Sequence, residues 1–535
     1  MTGPAIDTDI LIIGAGASGA VAARYLASHG LAVTCLEQGE WPDEAKYVGR
    51  RAERELVAYP RWHPNPNVRL AEADYPVDVS ECDVAPMMYN GVGGSTILWG
   101  ALWHRLAPSD FKVRSLDGVA SDWPLSYDDL VADYDQVEAD LGVSGLGGDP
   151  AYPVHGDYPT PAFPLSPVAV AFAEAMNRKG WHWWPGCNAI ASRPWKNLNA
   201  CVRRAACPTG CADGAKASTN ITHWPDAIAD GAQLVTGARV RQITIDAAGR
   251  ANGAVFLDRS GEEHRARAKI VILCANGIGT PRLLLLSTCS RFPNGLANGS
   301  DLVGRGLMMH PTGVASGVLD APAETWLGPY GQVASSMEFY ETDARRDFIR
   351  GSKWTLAQSS GPLSLALGLG SSGTELQDQL MRRLGRTFDL LTFAEDLPEV
   401  DNRVTLDQEL TDSDGLPAPK IHYRVGENTL RILRHSLERA REVLVDMGAH
   451  DIRISTIVPE YGGAHLMGTA RMGQDRSDSV VDEWGEAHEV PNLYVFDGSV
   501  FPTGGAVNPT ATICALARRF SRRLVDVRRT VSVAA

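Results

Sequence analysis

The N-terminal part of the chain has the apolar pattern of a strand, a helix and a second strand. The run D-I-L-I-I-G, which starts at Asp9, is short and almost continuously apolar, as is typical of a buried strand. The next segment, A-G-A-S-G-A-V-A-A-R-Y-L-A-S-H-G, predicts a helix that ends at Gly30, and L-A-V-T-C-L-E-Q-G predicts the second strand. Together these elements predict a βαβ unit with a right-handed crossover.

Farther along the chain, irregular and regular stretches alternate. Residues 47–86 are rich in Pro, Asn and Arg without clear periodicity, which indicates covering loops. After residue 221, a helix, short strands and the apolar run K-I-V-I-L-C-A could extend the first sheet. Over residues 311–458, strands such as K-I-H-Y-R-V and an amphipathic helix at 427–447 predict a separate second domain. The tail returns to a strand, a glycine loop and a closing helix, so the first domain is expected to contain both ends of the chain.

Composition and charge narrow the class of protein. The 535 residues are 44% hydrophobic, which is enough for a sizeable core. The formal net charge of −14 disfavours nucleic acid as a partner, because a phosphate backbone would be repelled. No apolar stretch approaches the roughly 20 residues of a membrane-spanning helix, so no integral membrane segment is expected. Nine cysteines without an N-terminal export signal favour a reducing, cytoplasmic location.

A glycine motif between the first strand and the first helix predicts a dinucleotide site. Gly14, Gly16 and Gly19 form G-x-G-x-x-G, which permits a tight turn, close approach of a pyrophosphate and packing of helix on strand. Glu37 ends the second strand, where its carboxylate can accept hydrogen bonds from ribose hydroxyls. NAD and FAD share this pattern, whereas NADP is disfavoured because Glu37 would repel its 2′-phosphate.

Three further motifs, G-G-S-T at 93–96, H-L-M-G-T-A-R-M-G at 465–473 and D-G-S-V-F-P-T-G-G-A-V-N-P-T at 497–510, resemble the glucose-methanol-choline (GMC) family of flavin oxidoreductases. The resemblance extends from Asp9 to about Arg523. It implies FAD as the cofactor and oxidation of an alcohol to a carbonyl by hydride transfer to the flavin. Trp99 stands where many members have Asn, and Asn276 stands where Gly is common, which indicates a divergent subfamily.

The resemblance also implies a fold and a set of residues that contact FAD. The fold is α/β, with a Rossmann-like FAD-binding domain and a second, α+β substrate domain that contains an antiparallel sheet. We expect the FAD-binding domain at 1–145, with its covering loops, 221–310 and 461–535, the substrate-binding domain at 311–460, and a connecting or lid region at 146–220. The expected FAD contacts are Gly14, Gly16, Ser18, Gly19, Glu37, Gly93, Gly94, Ser95, Trp99, Gly100, Ala101, Val240, Ala275, Asp497, Gly498, Pro509 and Thr510.

The family's catalytic pair is a His together with a second His or an Asn, and the matching positions here are His465 and Asn508. Oxidation of an alcohol removes a proton from oxygen and a hydride from carbon, so a base must face the hydroxyl while the flavin faces the carbon. An imidazole titrates near about pH 6.5, so that a neutral His465 is available as the base. Asn508 cannot act as a base, but its amide can donate a hydrogen bond to the substrate oxygen.

Three cysteines, in N-A-C-V-R-R-A-A-C-P-T-G-C-A-D-G-A-K, leave two interpretations open. Thiolates of Cys201, Cys207 and Cys211 can bind a three-iron cluster, and the segment resembles the cluster-bearing segment of the family's membrane-associated sugar dehydrogenases. The same pattern is also found in members without a cluster, and the first spacing, C-x5-C, differs from the spacing we associate with the cluster. We therefore predict a structural loop without metal, and zinc is disfavoured because no fourth ligand is close in sequence.

The substrate class follows from weaker signals. The string D-W-P-L-S-Y-D-D-L at 122–130 and the cysteine segment resemble the branch with sugar and glycoside dehydrogenases, so a sugar, glycoside or polyol is expected. A hydrophobic alcohol, such as a sterol or a long-chain alcohol, is the first alternative, and a redox-neutral lyase reaction is the second. The electron acceptor is left open among oxygen, a quinone, a cytochrome and another carrier.

Overall fold

A computed structural model of the protein describes residues 6–51, 53–58, 60–154, 156–357 and 361–534. Residues 1–5, 52, 59 and 535 of the predicted FAD-binding domain, residue 155 of the predicted lid region and residues 358–360 of the predicted substrate-binding domain lie outside the described residues. The strands in these ranges are β1 (Ile6–Ile13), β2 (Val33–Leu36), β3 (Asp78–Cys82), β4 (Ser144–Gly145), β5 (Thr160–Pro161), β6 (Trp184–Pro185), β7 (Gln233–Val235), β8 (Arg239–Ile245), β9 (Ala251–Leu257), β10 (Glu263–Leu273), β11 (Thr312–Val318), β12 (Ala334–Ser336), β13 (Ser352–Ala357), β14 (Thr387–Ala394), β15 (Arg403–Thr411), β16 (Pro417–Tyr423), β17 (His450–Ser455) and β18 (Leu493–Val495). The α-helices are α1 (Ala17–Ser28), α2 (Arg54–Ala58), α3 (Pro66–Arg69), α4 (Val113–Asp117), α5 (Val131–Leu141), α6 (Pro167–Lys179), α7 (Thr219–Thr222), α8 (Trp224–Ala229), α9 (Asn276–Leu286), α10 (Pro362–Leu369), α11 (Gly373–Arg383), α12 (Glu427–Asp446), α13 (Pro459–Gly462) and α14 (Thr510–Ala534).

The first sheet has the strand order β7-β2-β1-β10-β9-β8, with β18 also paired to β10. The pairs β1–β2, β1–β10, β2–β7 and β10–β18 are parallel, whereas β8, β9 and β10 pair antiparallel. The C-terminal half of β1 is buried throughout, as is typical of a parallel strand with helices on both faces. Helix α14 packs on α1, so both ends of the chain contribute to this domain.

The second sheet has the order β17-β11-β14-β13-β12-β6, and its strand pairs are antiparallel. Helix α12 covers one face, where Leu433 and Leu437 share a core with Trp354 of β13 and Leu390 of β14. Because side chains alternate along a strand, the residues between these core positions point to the opposite face. A Rossmann-like parallel region and an antiparallel second sheet confirm the predicted fold class.

A third sheet has three strands, in the order β15-β16-β3. Strands β15 and β16 form a hairpin, and β3 pairs with β16 in parallel. The strand K-I-H-Y-R-V, expected in the second domain, therefore lies beside a strand from the N-terminal part of the chain. Residues 47–86, expected to form only loops, contain α2, α3 and β3.

Within the described ranges, the helices lack the combination of length and apolar character needed to cross a bilayer.

Candidate active site

The G-x-G-x-x-G segment forms the tight turn between β1 and α1. Gly14 has a φ of +105°, and a Cβ there would overlap the carbonyl oxygen of Cys274. A Cβ at Gly19 would overlap the carbonyl oxygen of Gly14. The turn therefore requires glycine at both positions. Gly16, and with it the first turn of α1, faces a cavity. Among the described residues, no side chain caps this helix start, so its backbone N–H groups are available to a ligand.

Glu37 follows the end of β2, beside this turn. Its Oε2 atom accepts the N–H of Ala15 at 2.8 Å, and its Oε1 atom accepts the N–H of Gly39 at 2.9 Å. Burial raises the pKa of Glu37, while these two N–H groups act in the opposite direction. The side chain lines the cavity, and the remaining lone pairs of the carboxylate can accept ribose hydroxyls.

The G-G-S-T loop packs directly against the glycine turn. The N–H of Gly93 donates to the carbonyl oxygen of Ala15 at 2.9 Å. Gly94 has a φ of +52°, and a Cβ there would lie 2.7 Å from Cα of Gly16. The two glycine segments thus form one continuous backbone wall of the cavity.

The cavity has a volume of about 840 Å³ and runs from the glycine turn to His465 and Asn508. Thr510, the first residue of α14, also lines it, so a second helix N-terminus lies at this wall. The volume is typical of a ligand-binding site. Backbone N–H groups at a helix start and a carboxylate for the ribose are the groups that the ADP half of FAD requires, so the residues fit this cofactor.

The structure brings most of the predicted FAD-binding residues to this one cavity. Gly19 and Gly93 are not among the lining residues, and they lie behind the wall, where they let backbone segments approach each other. Direct contacts with FAD stay a prediction for the lining residues, which are Gly14, Gly16, Ser18, Glu37, Gly94, Ser95, Trp99, Gly100, Ala101, Val240, Ala275, Asp497, Gly498, Pro509 and Thr510.

His465 and Asn508 meet at the other end of the cavity. Nδ2 of Asn508 lies 3.0 Å from Nε2 of His465, and Nδ1 of His465 lies 2.8 Å from Nδ1 of His310. Oδ1 of Asn508 accepts a hydrogen bond from Nζ of Lys353 at 2.8 Å. Since the protonated form of Lys353 only donates, this network assigns the amide nitrogen of Asn508 to the side of His465 when Lys353 is an ammonium.

The buried surroundings keep His465 neutral. Burial lowers its pKa well below the ordinary value, and His310 and Lys353 lower it further. Burial also lowers the pKa of His310 to about 3 and that of Lys353 to about 7. Near neutral pH, His465 therefore has the protonation state that a base requires, with Nε2 as the acceptor.

Buried carboxyl groups hold the segments that carry these side chains. Oδ2 of Asp396 accepts the N–H of Met309, directly before His310, at 2.8 Å. Oε1 of Glu395 accepts the N–H of Gly505, in the loop that leads to α14, at 3.1 Å. The imidazole pair and the amide are thus placed by two neighbouring residues at the end of β14.

Sequence analysis did not identify His310 or Lys353 as part of this end of the cavity. His310 lies in M-M-H-P, which has no recognisable motif. Lys353 begins K-W-T-L-A, and a charged residue inside such an apolar strand is a signal that could have found it.

The cysteine segment lies behind the G-G-S-T loop. Nζ of Lys216, fully buried, donates to the carbonyl oxygens of Ile97 and Cys207, both at 2.7 Å. The lysine therefore attaches the cysteine segment to the cavity wall. The thiols of Cys201, Cys207 and Cys211 are all free.

Comparison with known proteins agrees with this geometry. Residues 8–312 and 398–517 match the N- and C-terminal family models described as GMC oxidoreductase. The chain belongs to this family, as its motifs indicated. It is an FAD-dependent enzyme that oxidises an alcohol group to a carbonyl.

Several characterised proteins are similar over nearly their whole length. A 2-methyl-1,2-propanediol dehydrogenase of Mycolicibacterium austroafricanum is 40% identical, covering 98% of this chain and 97% of that protein. A fructose dehydrogenase large subunit of Gluconobacter japonicus is 31% identical (98% and 99%), and a 6'''-hydroxyparomomycin C oxidase of Streptomyces lividus is 33% identical (97% and 91%).

Solved structures share the fold at low sequence identity. A pyridoxine 4-oxidase from Mesorbium loti superimposes with a TM-score of 0.65 at 19% identity, covering 96% of this chain and 99% of that one. A formate oxidase variant of Aspergillus oryzae RIB40 superimposes with a TM-score of 0.66 at 15% identity, covering 99% of both chains.

Proposed function

We propose that this enzyme oxidises a hydroxyl group of a sugar, glycoside or polyol, with His465 as the base and Asn508 as the donor to the substrate oxygen. FAD, when bound, accepts the hydride from the carbon. The residues described above handle the proton, the orientation of the substrate and its recognition.

The network around His465 provides a way to take up the proton of the hydroxyl. In the structure, Asn508 donates to Nε2 of His465. A substrate hydroxyl can replace Asn508 as the donor to Nε2, which frees the amide to donate to the substrate oxygen. After proton transfer, Nδ1–H of His465 still donates to His310, so the imidazolium keeps its orientation.

Strand β14 supports a substrate whose polar groups lie away from the reacting carbon. Phe393, Leu391 and Asp389 follow one another on its cavity face, and the ring of Phe393 lies 6.1 Å from that of His465. Alternate residues of a strand are separated by about 6.7 Å, so Asp389 lies roughly 13 Å along the strand from Phe393. The ring of Phe393 is thus an apolar neighbour of His465, beside the polar groups of Asn508 and His310, and the carboxyl group of Asp389 follows at a distance.

Asp389 is the single observation that carries the assignment to polyols. Oδ1 of Asp389 accepts a hydrogen bond from the hydroxyl of Ser316 at 2.6 Å, and burial raises the pKa of the carboxyl. Tyr330, Tyr461 and Glu460 line the same cavity. Tyr330, Tyr461 and Glu460 are exposed to solvent, so the argument depends on Asp389. A hydroxyl group can pair with its carboxyl group, whereas a sterol or long-chain alcohol would cover that carboxyl without offering it a hydrogen bond. Three of the similar proteins named above, the 2-methyl-1,2-propanediol dehydrogenase, the fructose dehydrogenase and the 6'''-hydroxyparomomycin C oxidase, support the same substrate class.

Replacement of the carboxyl group tests this assignment. We expect Asp389→Leu to raise KM for a polyol substrate by about tenfold, because one buried hydrogen-bond partner of a hydroxyl is lost. The rate with a simple aliphatic alcohol should change little. Asp320→Leu, at a position whose side chain is 94% exposed, serves as the control. An equal loss for both substrate types would contradict a role of Asp389 in recognising the polyol.

The cysteine segment supports a second candidate property, an iron–sulfur relay. Sγ of Cys201 and Sγ of Cys211 each accept a backbone N–H at 3.3 Å, and the N–H of Tyr330 contacts the thiol of Cys207. Such donors stabilise sulfur ligands of iron, and these three residues would hold the cluster. Lys216 supports the alternative predicted from the spacing, a structural loop without metal, because its hydrogen bonds already attach the segment to the cavity wall. Metal analysis distinguishes the two, because a three-iron cluster gives roughly three iron atoms per chain and the structural loop gives none.

We also propose a cytoplasmic location. All nine cysteines lie in the described part of the chain, and all are free. A set of unpaired thiols is typical of a reducing compartment.

A further inference from the structure

Lys353 is a fully buried lysine whose contacts within the described part of the chain are with neutral groups. Its neighbours on β13, Trp354 and Leu356, belong to the core under α12, so Lys353 points to the opposite face, toward His465 and Asn508. Nζ lies 2.8 Å from Oδ1 of Asn508 and 3.4 Å from Nδ1 of His104, and 5.1 Å from the centre of the Phe393 ring.

Such a residue is costly to keep. A buried ammonium group without an ion pair loses its hydration, and one amide oxygen and a distant imidazole replace only part of it. A methionine of similar length would fill the same space without this cost. The shortest contact of this ammonium is with the amide of Asn508, whose orientation it can fix.

A chain of hydrogen bonds runs from Lys353 through Asn508 and His465 to His310, and the direction of each bond fixes the direction of the next. Below its pKa of about 7, Lys353 is an ammonium without an acceptor, so it binds Oδ1 of Asn508 and turns Nδ2 toward His465. Nδ2 only donates, so Nε2 of His465 must be the unprotonated nitrogen. The proton of neutral His465 then sits on Nδ1 and faces His310.

We propose that Lys353 is a positioning residue that sets the tautomer of His465 through the amide of Asn508. This inference rests on the proposed role of His465 as the base, because it explains why Nε2 presents a lone pair to the substrate. If the amide were free to turn over, Oδ1 would face His465 and favour the tautomer with its proton on Nε2, which cannot accept a proton from the hydroxyl.

The tautomer can be observed without any turnover. We expect ¹⁵N NMR of histidine-labelled holoenzyme to show an unprotonated Nε2 and a protonated Nδ1 for His465, whose signals are identified by their loss in His465→Gln. In Lys353→Met the two nitrogens should shift toward each other as the tautomers mix. Unchanged His465 signals in Lys353→Met would overturn the proposal. A shift of the same size in Thr355→Val, which removes a hydroxyl on the same face of β13, would overturn it as well, since it would show a general disturbance of the strand.

A double-mutant cycle separates action through Asn508 from a general structural role. In anaerobic single-turnover experiments, we expect Lys353→Met to slow flavin reduction at saturating substrate by about 10- to 100-fold with little change in the substrate concentration at half-saturation. In an Asn508→Ala background, the same change should cost less than about threefold. A loss of equal size in both backgrounds would overturn the proposal. If the wild-type flavin is not reduced by any alcohol, the proposed function fails, while the NMR result on the tautomer still decides this inference.

Discussion

At the scale of single residues, the chemistry depends on which nitrogen of His465 carries its proton. The motifs H-L-M-G-T-A-R-M-G and N-P-T indicate His465 and Asn508 in the sequence itself. They do not show that Lys353, 155 residues before Asn508, contacts its amide, because that contact depends on how β13 lies against the loop before α14. His465 and Asn508 were thus predictable, whereas His310, Lys353 and the tautomer of His465 were not.

Removal of the imidazole tests His465 as the base. We expect His465→Ala to retain FAD and to lose turnover by about 10²- to 10⁴-fold. The base acts in the chemical step, whereas the glycine turn and Glu37, which fit the ADP half of FAD, lie at the other end of the cavity. The flavin absorbance of the purified variant and steady-state kinetics measure the two effects. His450→Ala, at a half-exposed position on β17, is the matched control. Wild-type turnover in His465→Ala would remove the residue from this role.

The low pKa of His465 predicts the pH dependence of the reaction. Burial, His310 and Lys353 all lower it, so the neutral base persists to lower pH than for an ordinary imidazole. On acidification, kcat/KM should therefore fall only well below about pH 6.5, the usual value of histidine. A profile of kcat/KM against pH measures this limb, and a fall centred at or above the usual value would contradict the account.

At the scale of elements, the βαβ unit follows from local pattern, whereas the antiparallel second sheet was expected from the family resemblance. The apolar run of β1, the glycine turn and α1 agree with one another in sequence, and the helix predicted at 427–447 is α12. The position of β16 beside β3 was not predictable, because the pairing joins segments that lie more than three hundred residues apart and no local pattern encodes it. The sequence likewise showed two glycine-rich loops, but it did not show that they pack against each other, as Gly94 and Gly16 do.

A matched pair of glycine substitutions tests the packing of the G-G-S-T loop against the glycine turn. Gly94 and Gly118 both have a positive φ, of +52° and +76°, so alanine strains the backbone at each. At Gly94 the added Cβ would also lie 2.7 Å from Cα of Gly16, whereas at Gly118 no atom of the described residues lies within 4 Å of the added Cβ. We expect Gly94→Ala to weaken FAD binding by about tenfold or more and Gly118→Ala to leave it unchanged. Equal FAD affinity in both variants, measured by titration of the apoprotein, would contradict the close contact.

At the scale of the whole molecule, buried charges join the second sheet to the N-terminal part of the chain. Arg350, just before β13, donates to the carboxylate of Asp110, which lies in the N-terminal part of the chain. Nε of Arg350 also lies 4.0 Å from Oε2 of Glu395, the residue that holds the loop before Asn508. The cluster of Arg350, Asp110 and Glu395 therefore links the N-terminal part of the chain to β13 and to the loop before Asn508.

Removal of the central cation tests this connection. We expect Arg350→Met to lower the free energy of unfolding by about 3–5 kcal/mol, because it leaves buried carboxylates without their partner. Arg345→Met, which removes an exposed arginine from its pair with Asp343, should leave the melting temperature unchanged. Thermal and denaturant unfolding of both variants measure the difference. An Arg350→Met variant as stable as the wild type would show that the cluster does not hold the parts together.

The most direct test of the account is an anaerobic absorbance spectrum of the purified holoenzyme, recorded before and after addition of sugars, polyols such as 2-methyl-1,2-propanediol, and long-chain alcohols. The account predicts an oxidised flavin band that bleaches with polyols or sugars in the wild type and not in His465→Ala. A flavin that stays oxidised while the substrate is cleaved would indicate the lyase reaction instead. A chain that binds no flavin after reconstitution with FAD, or a flavin that none of these alcohols reduces, would contradict the proposed function.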